Sequence, residues 1–240
     1  SVDAILDFGE KGFPGILVET IAIFINNLAA PANTKVFSLT HRLHLTQPQA
    51  YIFDPELPYW IIYRNQLFDS VCRKLDFDVF EVFRDRQLTN KLLSSSGELR
   101  VLKSRNLSDD GKAILDIPGY DSYISYAAAK PLSVFQYLDA PNVYLTPNMT
   151  YKPRMMKKPP HCVVNGSLAI LIPKGGIVPT EKQLAYFSSE EYRAFYQIAR
   201  NFQTRSLNVD ACSVFFYGLL RDEAKPAPEK FDTSVQLSFL

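Results

Sequence analysis

Residues 2–8 read Val-Asp-Ala-Ile-Leu-Asp-Phe, a short apolar-rich run that predicts a buried strand. Gly9, Gly12 and the pair Pro14-Gly15 are turn signals, and residues 16–26, rich in Ile and Val, predict a second strand. Residues 28–33 (Leu-Ala-Ala-Pro-Ala-Asn) read as a linker. Residues 34–40 alternate apolar and polar positions, which suits a half-buried strand. Residues 51–63 are aromatic and broken by prolines, with the one tryptophan at Trp60. A helix is predicted from Asn65, a favoured N-cap, because Leu67, Phe68, Val71, Cys72 and Leu75 share one face and Arg73 and Lys74 stand in the last turn.

Strands are predicted over residues 78–83, 99–102, 143–145, 162–164 and 168–172. The polar, Ser-rich residues 88–97 predict a mobile loop, residues 108–119 a second loop, and residues 131–138 a short helix with Pro131 in its first turn. Thr180-x-x-Gln183 and Ser188-x-x-Glu191 both match a capping box. The second opens a helix with Tyr192, Phe195, Tyr196, Ala199 and Phe202 on one face, and Asp210 caps a last short helix through Val214, Phe215 and Leu219. Residues 221–240 are Pro-rich and charged and predict a flexible tail. This order of elements predicts an α+β fold with a mixed, mostly antiparallel sheet and peripheral helices.

Composition narrows the function classes. The 240 residues carry 26 basic and 25 acidic side chains, a net charge of +1, so any polyanion site is a local patch. A hydrophobic fraction of 47% excludes a mainly disordered chain. Three well-separated cysteines (Cys72, Cys162, Cys212) exclude a disulfide framework and a close-spaced cysteine zinc site, which points to a reducing, cytoplasmic setting. No run predicts a membrane span. The first residues have no basic signal-peptide region and enter strand-like sequence at once, which leads to the expectation of a piece of a longer protein.

Catalytic motifs are missing. His41 and His44 have no carboxylate or cysteine at metal spacing, and His161 and Cys162, adjacent in a strand, point to opposite faces. The sequence has no Gly-x-Ser-x-Gly, P-loop or Gly-x-Gly-x-x-Gly. What it has is local positive charge in predicted loops. Residues 84–105 hold six basic side chains (Arg84, Arg86, Lys91, Arg100, Lys103, Arg105) against Asp85 and Glu98. Residues 151–160 hold four basic side chains and no acidic one. Arg reads guanine edges, Asn and Gln read adenine, and Lys, Ser and Thr hold phosphates, so two such loops suggest a nucleic-acid face. A small-molecule or sugar site at the aromatic residues 51–63 is the weaker option, because such side chains more often pack a core.

One family carries these motifs in the same order. Ile5-Leu-Asp-Phe-Gly-Glu followed by Phe13-Pro-Gly-Ile-Leu-Val-Glu-Thr-Ile-Ala-Ile-Phe resembles the last strands of the catalytic domain of Taq-type (γ-class) adenine-N6 DNA methyltransferases. Phe83-Arg-Asp-Arg-Gln, Val101-Leu-Lys-Ser-Arg-Asn-Leu, Val143-Tyr-Leu-Thr-Pro and the ending from residue 189 resemble the target recognition domain of that family, over about residues 1–220. The family's Asn/Asp-Pro-Pro-Tyr/Phe and Phe-x-Gly-x-Gly motifs are absent, Ser104 stands where the family commonly has Gly, and the loop after the long helix lacks the frequent Pro.

The resemblance implies three parts: terminal catalytic-domain strands over residues 1–28, a DNA target recognition domain over 29–220, and the tail over 221–240. It implies double-stranded DNA and an upstream catalytic domain as partners, no membrane, no cofactor in this piece and S-adenosylmethionine in the whole enzyme. Arg84, Arg86, Gln87, Arg105 and Asn106 are then the expected base contacts, and Lys103, Lys152, Arg154, Lys157 and Lys158 the expected phosphate contacts. Thr204, Arg205, Ser206 and Leu207 would fill the gap left by a flipped adenine. No catalytic or metal-ligating residue is expected here. The alternative of the same likeness is a recognition domain of a non-enzymatic specificity subunit in a multi-subunit restriction system.

Overall fold

The computed structural model describes residues 1–28, 32–203, 208–222 and 238–239. The fold is α+β, with helices and mixed, mostly antiparallel sheets. The chain divides into two compact units. The first comprises Ser1–Arg73, Gln197–Ser206 and Lys225–Leu240, and the second Lys74–Tyr196 and Leu207–Ala224. The boundary expected at residues 28 and 29 falls inside the first unit, and residues 29–31 lie outside the described residues. So do residues 223–237 and 240 of the expected tail.

In the first unit β1 (Val2–Gly9) pairs antiparallel with β2 (Thr20–Ile25) and parallel with β3 (Asn33–Ser38). Strand β4 (Leu43–Pro48) pairs antiparallel with β3, and Ser238–Phe239 pairs with β4. The strand expected from residue 16 begins only at Thr20, because its partner β1 ends at Gly9, opposite Thr20. Ile5, Val36 and Leu45 align across the three strands and are buried. The Asp7 carboxylate accepts hydrogen bonds from the Tyr63 hydroxyl and from Ser38 Oγ (3.2 Å). Burial, together with the bond to Asp7, pushes the Tyr63 hydroxyl well above the usual phenol range.

Two helices follow, α1 (Gln49–Ile52) and α2 (Gln66–Lys74). Asn65 caps α2 as expected, its Oδ1 accepting from Phe68 N at 3.0 Å, and α2 buries Phe68 and Val71. Arg64 donates to Asp54 (2.7 Å), to Asp69 (2.8 Å) and to the Tyr51 carbonyl (3.1 Å) and lies over the Tyr51 ring. The aromatic residues 51–63 are used within the fold. Tyr51 donates to Asp69 at 2.5 Å, Trp60 packs on Phe53, and Ile61, Ile62 and Tyr63 are buried. His44 stacks on Phe37, and His41 packs on Tyr63 and Phe202. Burial pushes the Cys72 thiol up to about 12, which makes it a packing residue rather than a nucleophile.

The second unit contains β5 (Leu75–Asp76), β6 (Phe80–Phe83), β7 (Leu99–Leu102), β8 (Ser122–Ile124), α3 (Tyr126–Ala129), β9 (Tyr144–Pro147), β10 (Met156–Lys157), β11 (Cys162–Val164), β12 (Leu168–Pro173), α4 (Glu181–Tyr186), α5 (Glu190–Ala199) and β13 (Leu219–Leu220). One antiparallel sheet has the order β10-β9-β12-β6, a second the order β11-β7-β8 with β11 and β7 parallel, and β13 pairs with β5. Val101, Leu102, Ile124, Val163, Val164, Leu145, Leu168 and Ile170 form their shared core.

Helix α5 presents the expected aromatic face: Tyr192, Phe195, Tyr196 and Ala199 are buried. Phe202 lies beyond the helix, with φ of 53°. The capping box at Thr180 and Gln183 is present. The cap of α5 is Ser189, whose Oγ accepts from Tyr192 N at 3.1 Å, while Ser188 donates to the Asp110 carbonyl. Residues 131–138 hold a 3-10 turn, Ser133–Tyr137, in place of the expected helix. Cys212 is the N-cap of the 3-10 turn Ser213–Phe216 in place of the expected Asp210, whose Oδ1 accepts from Cys212 N (3.1 Å) and Ser213 N (2.8 Å), and Leu219 lies in β13.

Candidate nucleic-acid interface

Strand register brings four chain segments to one end of the second unit. Leu145, Ile170 and Phe83 lie in one row across β9, β12 and β6. Past that row β6 leaves the sheet as Arg84-Asp85-Arg86-Gln87, β9 leaves as Asn148, and β12 enters from the turn at residues 165–167. Asn148 ties these together. Its Nδ2 donates to the Gly166 carbonyl (3.1 Å) and to Asn208 Oδ1 (2.8 Å), and its Oδ1 accepts from Val209 N (3.0 Å) and from Arg84 (3.4 Å).

Gly166 sits against the backbone of the Arg84–Gln87 segment, where an added Cβ would stand 2.6 Å from the Asp85 carbonyl oxygen. We expect Gly166→Ala to destabilise the chain by about 1–3 kcal/mol, because the neighbour is backbone and has little room to give. Urea unfolding measures this, and a change below about 0.5 kcal/mol would show that the two turns are not packed this closely.

The fourth segment is the 3-10 turn Ser104–Asn106 after β7. It is anchored on several sides. Ser104 N donates to Ser167 Oγ at 2.9 Å, and Arg154 donates to the Ser104 and Leu107 carbonyls at 3.2 and 3.3 Å. Asn106, fully buried, accepts from Lys103 N (2.9 Å) and donates to the Leu115 carbonyl (3.0 Å) and to Asp121 (2.7 Å). Asp121 also accepts from Arg100 (2.9 Å) and Ile117 N (3.0 Å).

Burial pushes the Asp121 carboxyl up, but the Ile117 N–H, the Asn106 amide and Arg100 outweigh it and hold the group below its ordinary 3.8. A depressed carboxylate stabilises the fold fully above its unfolded value, and that stabilisation is lost as pH falls through the folded value. Asp121→Asn is therefore expected to lower stability by about 1–2 kcal/mol near neutral pH, with the gap to wild type narrowing below about pH 4. Urea titrations at several pH values check this, and a pH-independent gap would contradict it.

The expected contact residues separate into two groups. Arg86, Arg105 and Lys152 are exposed and have no ion pair among the described residues, and Arg84 is half-buried beside Asn148. Gln87 is exposed, with its Oε1 accepting from Ser133 N at 2.7 Å. Lys103 bonds the Tyr120 carbonyl and Ser122 Oγ (3.0 Å). Lys157 is exposed, but it pairs with Tyr144 at the start of β9, back along the strand from Pro147.

The other group is internal. Asn106 is expected as a base contact, but it is fully buried with all its bonds inside the chain. Arg154 and Lys158 are expected at phosphates, yet both are buried. Arg154 caps carbonyls of the 104–107 turn, and Lys158 donates to the Leu138 (2.7 Å) and Pro159 (3.0 Å) carbonyls. Burial pushes the ionisation of both down. Asn106 and Arg154 support the turn that carries Arg105, whereas Lys158 lies at the start of β9, away from it. Thr204, Arg205, Ser206 and Leu207 lie outside the described residues.

Sequence reading missed Asn148 and Ser167, whose small polar side chains join separate turns. Their positions at the two ends of predicted strands were the available signal. The sequence holds neither Phe-x-Gly-x-Gly nor Asn/Asp-Pro-Pro-Tyr/Phe, the motifs by which the resembled family would hold S-adenosylmethionine. The Gly175-Gly176 pair only turns the chain after β12, beside Lys174 bonded to Asp78. Among the described residues no group of His, Cys, Asp and Glu could hold a metal ion, and no helix is long and apolar enough to cross a membrane. No known protein-family model matches the chain, and no curated protein matches it.

Proposed function

We propose that this chain is the DNA target recognition part of an adenine-N6 DNA methyltransferase of the Taq type, from a restriction-modification system. One observation carries the reading: Arg84, Arg105 and Lys152 stand on separate turns that buried polar side chains lock at one end of the second unit. None of the three has a carboxylate partner among the described residues, so their charge adds to a local positive field that attracts a polyanion. Arg86, two residues further along the loop from Arg84, is exposed.

In this reading the exposed arginines contact base edges, and Lys152 contacts a phosphate. The part supplies sequence reading and grip, which offsets the few kcal/mol needed to extrude an adenine. Methyl transfer from S-adenosylmethionine belongs to an upstream catalytic domain, and no step of it is assigned to this chain. The free thiols Cys72, Cys162 and Cys212 fit a cytoplasmic setting.

The test is a fluorescence-anisotropy titration against a randomised duplex pool at about 50 and 200 mM salt. Affinity is expected to fall about 10³-fold or more over that range. Lys152→Ala is expected to weaken all duplexes alike and to lower the salt slope by about one. Lys157→Ala, roughly 10 Å back along the sheet, is expected to leave the slope unchanged. Absence of binding at low salt, or equal effects of the two lysines, would count against the face drawn here.

A further inference from the structure

We infer that Tyr120 is a positioning residue that holds the Arg105 guanidinium ready to read a guanine edge in duplex DNA; this rests on the DNA-recognition reading above. Arg105 is the exposed side chain of the 3-10 turn Ser104–Asn106. Its guanidinium carbon lies 4.6 Å from the centre of the Tyr120 ring, within the range of a cation–π contact. Tyr120 is fixed in turn. Its N–H donates to the Ile117 carbonyl at 3.0 Å, its own carbonyl accepts from Lys103 Nζ, and the next residue, Asp121, is bonded to Asn106 and Arg100.

The charges around that ring are unbalanced. Lys103 Nζ lies 3.9 Å from the same ring centre, so two cations share one aromatic side chain. Neither has an ion pair among the described residues, and the adjacent carboxylate of Asp121 is committed to Arg100, Asn106 and Ile117 N. Two cations at one ring add to a local positive field, and a polyanion brought to this surface balances it.

An arginine that stacks on a ring does so with the flat face of its guanidinium. The N–H donors lie in its plane and stay available. A planar fork with its edge outward matches O6 and N7 of guanine, the commonest arginine readout in the major groove. Holding an exposed arginine beforehand reduces the ordering cost on binding.

The full chain first selects sequences from a randomised duplex pool. A fluorescein-labelled duplex of the enriched sequence is then compared with copies in which each guanine in turn is 7-deazaguanine, which lacks the N7 acceptor. At one position the replacement is expected to weaken wild type about 10-fold, and to have no effect on Arg105→Ala or Arg105→Lys. Tyr120→Leu is expected to weaken the enriched duplex about three- to fivefold and to blunt the response at that same position, whereas Tyr120→Phe keeps both.

A Tyr120→Leu chain that binds and discriminates like wild type, or loses every duplex equally, overturns the inference. So does an Arg105→Lys chain that keeps the 7-deazaguanine response, a readout that holds if the leucine variant fails to fold. Failure of wild type to enrich any sequence overturns the DNA reading itself and this inference with it, without recourse to the Tyr120 variants.

Discussion

Asn106→Ala is expected to lower stability by about 3 kcal/mol and the Tm by about 6–12 °C, one of the two largest effects predicted for this chain. Asn106 is fully buried, and its carboxamide makes three bonds: from Lys103 N, to the Leu115 carbonyl and to Asp121. Alanine leaves the Lys103 N–H without its acceptor and takes one bond each from Asp121 and from the Leu115 carbonyl, which keeps Arg100 at 2.7 Å, and an orphaned buried group costs more than the bond it replaces contributed. It also weakens the hold on Asp121 and hence on Arg100. Thermal and urea unfolding read the loss directly. A loss under about 1 kcal/mol would mean that water reaches the freed groups and that the turn is less enclosed than described. Because the turn carries Arg105, the same variant is expected to lose sequence preference in DNA binding before it loses affinity for phosphates.

Arg64→Met is expected to cost about 2–4 kcal/mol in the first unit. The guanidinium bonds Asp54, Asp69 and the Tyr51 carbonyl, with side-chain exposures of 15% for Arg64 and 23% for each aspartate. Removing the cation leaves two enclosed carboxylates that repel each other. Burial pushes the guanidinium ionisation down, but its bonds to Asp54 and Asp69 reverse this and hold it above the ordinary value, so no physiological pH neutralises it. Asp54→Asn with Asp69→Asn in the methionine background is expected to recover part of the loss. A methionine variant as stable as wild type would show that the cluster contributes nothing net.

The elements were more legible than the roles of charged side chains. The α2 cap at Asn65 and the capping box at Thr180 rest on contacts within three residues, so the local sequence contains both partners. Strands β7 and β11 begin and end where their apolar runs do. Misses arose where the deciding partner is remote. Arg154 looks like a free loop cation in sequence, yet its acceptors are carbonyls about fifty residues away, and peptide carbonyls leave no mark in composition. Lys158 likewise reads as part of a basic run, but it caps the Leu138 carbonyl. Arg84 and Arg105 were visible as candidates, while Asn148, the residue that joins Arg84 to the turn at Gly166, was marked only by its place after a predicted strand.

The order of segments also bears on how the chain is made. The first unit is interrupted: Ser1–Arg73 is completed by Gln197–Ser206. On a ribosome its early strands emerge long before the residues that finish their packing. Synthesis at about 5–20 residues per second separates the two segments by roughly 6–25 s. During that interval Ile62 N and the Trp60 carbonyl wait for the Asn201 side chain that bonds both in the finished fold. The second unit is likewise completed only by Leu207–Ala224, which supply β13 for β5 and the Val209 N–H for Asn148. Nascent chains stalled before residue 197 are accordingly expected to be cut by protease within both units.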